Sequence, residues 1–126
     1  MEPKLNFIVV CESAFFTKGN DNLNIIGIFG KITAAKFPAV HPKMFVVSSV
    51  TAEPGNINYE LVLRNESKEE VFRISGDANI PVDKTKVQMI GEIVNTPLTN
   101  QGKYSIEMII NGKLQSNTAD FTVSES

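Results

Sequence analysis

The side chains able to do chemistry in this 126-residue chain are few, and they do not fall at catalytic spacing. His41 is the single histidine and Cys11 the single cysteine. Any nucleophile–base triad must therefore use His41 as its base. His41 stands between Val40 and Pro42 in a proline-bounded segment, and no G-x-S-x-G elbow supplies a serine nucleophile. The expectation is a loop histidine, exposed or bound to a neighbouring carbonyl. Cys11 closes an alternating run of Leu5, Phe7 and Val9, so it reads as a small buried hydrophobe. A reactive thiol needs an electropositive, partly open setting, and the adjacent Glu12 opposes one. One cysteine and one histidine fall short of the four ligands a structural zinc site takes.

The aspartates Asp21, Asp77, Asp83 and Asp120 are scattered singly, without a D-x-D-x-[DN]-G loop. A calcium site at the rim of a β-sandwich would have to gather Asp21 with Asp77 or Asp83 from separate loops. Nothing marks a pair of carboxylates for glycoside cleavage, and tryptophan, a common sugar platform, is absent. The eight glycines are dispersed at turns and strand kinks rather than gathered in a phosphate loop. No catalytic residue, metal ligand or cofactor is assigned.

Composition narrows the partners. Twelve basic against 14 acidic residues give a net charge of −2, which argues against an electrostatic binder of nucleic acid or of a membrane surface. No stretch approaches the ~20 apolar residues of a membrane helix. The apolar run from Phe7 to Val10 is too short for a signal-peptide core. A lone cysteine allows no intrachain disulfide, so the scaffold does not depend on an oxidising compartment. The expectation is one soluble cytoplasmic domain over residues 1–126. In that setting the sequon Asn65-Glu66-Ser67 carries no weight.

The elements that position these residues read as strands. Turn signals recur about every ten residues, the mark of a sandwich or barrel. The strongest signal is near the end of the chain, where Tyr104, Ile106, Met108 and Ile110 alternate at period two. Asn111-Gly112 follows, a pair that accepts positive φ cheaply and suits a two-residue type I′ turn. The return strand carries Ala119, Phe121 and Val123 on one face. Earlier strands are expected over Lys4–Cys11, Leu23–Phe29, Met44–Val50, Ile57–Arg64, Val71–Ser75 and Val87–Val94. Leu23–Phe29, apolar on both faces, is expected to be central in its sheet. Gly30 allows a bend into Lys31–Ala35. Phe37–Pro42 is expected to be a connection, because its two prolines remove ladder donors. Gly76–Lys84 is expected to be irregular, and single helical turns are open at Ser13–Lys18 and Pro97–Gln101. The fold class is all-β: a single-domain antiparallel sandwich of eight or nine strands, with a closed barrel as the alternative.

Four patterns together carry a resemblance over most of the chain. They are Phe7–Ala14 with its Cys11-Glu12 step, Ile26-Gly27-Ile28-Phe29, Phe37–Pro42 leading into Phe45-Val46-Val47, and Gly102–Ile106 with Asn111-Gly112. The chain resembles an uncharacterised family of small bacterial β-sandwich proteins. The resemblance implies the sandwich fold and a bacterial cytoplasmic origin. The family has no established activity, so no functional residue is carried over.

Function is read by class. A non-enzymatic interaction or accessory module comes first, associating with an unknown protein partner or with itself. Strand residues pointing outward could form its surface, and Val62, Ile90 and Ile109 are the candidates if they share a face. A small-ligand- or metal-binding sandwich using loops at one end comes second, and an enzyme last.

Overall fold

The computed structural model describes residues 2–126. It forms nine strands in chain order: β1 Lys4–Phe16, β2 Leu23–Ile28, β3 Lys31–Ala34, β4 Ala39–Thr51, β5 Gly55–Arg64, β6 Glu70–Ile80, β7 Lys86–Leu98, β8 Gly102–Ile110 and β9 Lys113–Glu125. They make two sheets, one of four strands in the order β2-β1-β4-β7 and one of five in the order β3-β9-β8-β5-β6. All pairings are antiparallel except that of β3 with β9. The sandwich reading holds, and no helix occurs among the described residues.

Each sheet turns one apolar face inward. From the five-stranded sheet come Leu61 and Leu63 of β5, Tyr104 to Ile110 at alternate positions of β8, and Ala119, Phe121 and Val123 of β9. From the four-stranded sheet come Ile8 and Val10 of β1, Met44, Val46 and Val50 of β4, and Ile93 of β7. Tyr104 is 1% exposed, and its hydroxyl donates to the Asn100 carbonyl at 2.7 Å. Its ring stacks on Phe121 with centroids 5.6 Å apart. Asn111 and Gly112 both take positive φ, 49° and 80°, as the type I′ turn requires.

The order β1-β4-β7 against β9-β8-β5-β6 matches strands A, B, E and G, F, C, C′ of an immunoglobulin-like sandwich. Tyr104 near the start of β8, bound to the backbone four residues upstream, occupies the tyrosine corner of that architecture.

Several local expectations differ from the structure. β2 is an edge strand rather than a central one. Its second apolar face is not covered by a neighbouring layer: Ile26 and Ile28 are 52% and 64% exposed. A register shift between Leu5 and Phe7 puts Leu5 in the core with Ile8 and Val10, and turns Phe7, Val9 and Cys11 to the other face. Ala39–Pro42 belongs to β4, but β1 pairs with β4 only from Phe45 onward, so Pro42 is not called on to donate to β1. Ser13–Phe16 and Gly76–Ile80 extend β1 and β6, and β7 carries the chain through Pro97 to Leu98. The Phe37–Pro38 peptide bond is cis.

Candidate functional site

The two outward faces of the sandwich differ in kind. On the five-stranded sheet several outward side chains are charged and paired with one another. Arg64 pairs with Glu107 at 2.9 Å, Arg73 with Glu60 at 2.8 Å and Lys103 with Asp120 at 3.4 Å. Asp120 also accepts from the Ser105 hydroxyl at 2.6 Å and from Thr118 at 2.9 Å. Burial pushes the Asp120 carboxyl up, but the hydrogen bonds from Ser105, Thr118 and Lys103 outweigh it and hold the carboxyl below its ordinary value. This face is a solvated lattice of ion pairs.

The outward face of the four-stranded sheet is apolar. Residues directly opposite in adjacent strands share a face, so the register lays it out in rows. One row runs Ile28, Cys11, Phe45, Glu92, and the next Val9, Val47, Ile90. Phe7, Ser49 and Gln88 follow on one side, and the pairs Ala14–Ile25, Phe16–Leu23 and Lys43–Val94 on the other. Cys11, Ala14 and Val47, with Phe7, Val9, Leu23, Ile25, Phe45 and Ile90 packed against them, form a cluster separate from the core. Among the large apolar side chains found exposed, Phe16, Ile28 and Val94 lie on this face. Scattered single exposures are ordinary, but a contiguous apolar face marks an interaction site.

The proposed trio Val62, Ile90 and Ile109 does not form one surface. Val62 and Ile109 lie on the five-stranded sheet and Ile90 on the four-stranded sheet. Val62 is 0% exposed. Its cross-strand neighbours are Arg73 and Glu107, whose long stems cover it while their charges stay wet. Only Ile90 belongs to the apolar face. Alternation assigns sides within a strand, but it does not say which sheet the strand joins.

A second feature lies where the chain crosses from β2 to β3. A concavity of about 440 Å³ is lined by Glu12, Phe29, Lys31, Ile32, Thr33, His41 and Lys43. His41 stands in β4 rather than in a loop, its ring 6.0 Å from that of Phe29. Burial pushes the His41 imidazole below its ordinary value, and a hydrogen bond with the Lys43 backbone opposes this in part. Gly27 admits Glu12 here: it takes φ of +70°, and an added Cβ would lie 2.9 Å from the Glu12 carboxyl carbon. The sequence shows Gly30 as a bend but not the meeting of Glu12, Lys31 and Lys43, which the crossing between sheets creates.

Cys11 is 0% exposed, as a small buried hydrophobe should be, and burial pushes its thiol up. It donates weakly to the Ser13 carbonyl. Asp21 stands in the β1–β2 turn and Asp77 on β6 of the other sheet. Among the described residues no three His, Cys, Asp or Glu side chains gather as a metal site, and no helix is long and apolar enough to cross a membrane.

The model of a family described as "Family of unknown function (DUF6941)" matches residues 6–124. The chain belongs to that family. No curated protein matches it. Among solved structures, the chain is similar to the alkylpurine DNA glycosylase AlkC of Pseudomonas fluorescens, bound there to DNA containing an abasic-site analogue. Identity is 10% and the TM-score 0.53, over 98% of this chain and 30% of that one. The chain thus spans under a third of the glycosylase, and the likeness is one of fold. An immunoglobulin-like protein from Pseudomonas aeruginosa aligns over 98% of this chain and 97% of its own, at 12% identity and a TM-score of 0.48.

Proposed function

We propose that this family member is a non-enzymatic interaction module that docks a protein through the outward face of its four-stranded sheet. The observation that carries the reading is the contrast between the two faces. One carries ion pairs, while the other holds a separate apolar cluster bordered by Ile28 and Val94 at more than half exposure. Water against such a face is released on docking, at about 25 cal/mol per Å² covered. The two groups most able to do chemistry support the same reading. Cys11 sits buried in that face with a raised thiol pKa, and His41 stands in β4 apart from it, so no nucleophile–base pair forms between them. We read the module as bacterial and cytoplasmic, in keeping with a fold that holds its one thiol unpaired.

The test is photo-crosslinking in the native cell, with benzoylphenylalanine in place of Ile28 or of Val82. Val82 is 91% exposed but lies off the face. A discrete protein adduct at position 28 and none at 82 is the expected result. No adduct at position 28 would remove the docking surface.

The concavity favours a second reading, a small-ligand site. Glu12, Lys31 and Lys43 stand around an apolar floor of Phe29 and Ile32, the mix of polar and apolar lining typical of such sites. A melting temperature raised by a small charged ligand, and not raised in Lys31→Ala, supports that reading.

A further inference from the structure

We propose that the occupant of the apolar face is a second copy of this chain, docked face to face about a two-fold axis. The proposal rests on the docking reading above and names its partner.

The first argument is area. Phe16, Ile28 and Val94 are 42%, 64% and 57% exposed. At about 200 Å² per large side chain they alone present roughly 300 Å² of apolar surface. Phe7, Val9, Phe45 and Ile90 are half-buried and add to it, and Lys43, Gln88 and Glu92 supply a polar border. With the polar border, the patch is of the size that marks an interaction site and is large enough to form the centre of an interface between two copies. A small ligand could cover only part of such a face.

The second argument is self-complementarity. A two-fold interface uses the same patch twice, so its border must tolerate its own image. A border of one sign would repel itself. Here Lys43 and Glu92 lie in neighbouring rows, and no ion pair is formed by either among the described residues. Lys43 instead rests its ammonium 5.9 Å from the Phe45 ring centroid, at the edge of the apolar rows. The sandwich already shows that two such sheet faces pack on each other, and a second copy repeats that packing outside.

Sedimentation velocity on the full chain from about 1 to 200 µM tests the proposal, beside the double variant Ile28→Lys with Val94→Lys. Both positions are exposed, so the variant should melt as the wild type does. The expected result is a concentration-dependent monomer–dimer equilibrium in the wild type, weakened at least tenfold in the variant. A wild type that stays monomeric overturns the second-copy assignment. In that case strong binding of an apolar-surface dye to the wild type, lost in the variant, would leave the docking reading standing, and absence of dye binding would sink both. A dimer equally strong in the variant also overturns the proposal, because it must use another surface.

Discussion

Tyr104 links sequence, packing and stability at the scale of one residue. Its ring fills the core against Phe121, and its hydroxyl is spent on the Asn100 carbonyl. Tyr104→Phe removes only the hydrogen bond and should cost about 1 kcal/mol. Tyr104→Ala removes the ring and should cost about 3–5 kcal/mol. Denaturant unfolding separates the two, and a loss under about 1 kcal/mol for the alanine variant would contradict the packing. His41 sets a pH dependence. Its folded-state pKa lies below the ordinary value of 6.5, because burial beside Phe29 favours the neutral ring. The unfolded chain therefore takes up the proton first. This contribution to stability is full above 6.5 and is lost as the pH falls through 6.5 toward the lower folded value. Thermal melts between pH 7.5 and 5 should show the decline in the wild type, and it should be weaker in His41→Gln. Tyr104 could be placed from sequence because a period-two pattern states which side chains a strand buries, whereas for Cys11 only its burial and not its face was legible. His41 could not be placed, since two prolines concealed that its segment continues β4.

Single strands show where pattern reading succeeds and where it stops. The β8–β9 hairpin follows directly from alternation and Asn111-Gly112. β1 does not, because one register shift between Leu5 and Phe7 exchanges its faces and no residue type announces the shift. β2 has the two apolar sides of a central strand yet lies at an edge, for the same reason that Val62 is hidden: neighbours decide exposure. The apolar face was therefore present in the composition of β1, β2, β4 and β7 but could not be assembled without the strand order. Gly27 in β2 gives an element-level test. Its positive φ and the Glu12 carboxyl group beside its α-carbon both oppose a side chain. Gly27→Ala should destabilise by about 1–2 kcal/mol from the backbone conformation alone. Adding Glu12→Ala should recover the contact part but not the backbone part. A Gly27→Ala variant as stable as the wild type would contradict the positive φ.

The whole molecule is asymmetric, with an ion-paired face, a shared core and an apolar face. Arg73 and Glu107 flank the buried Val62 on the five-stranded sheet, whereas Ile28 and Val94 on the outward face of the four-stranded sheet are more than half exposed. A second copy supplies their cover. Methyl NMR with a soluble nitroxide reads it directly, since relaxation reports how closely solvent approaches each methyl group. At a concentration where copies associate, the methyl groups of Ile28 and Val94 should be shielded as if buried, while Val82, 91% exposed, relaxes fully. Methyl groups of all three residues relaxing alike would mean that the face stays open to water, and would contradict docking of a second copy.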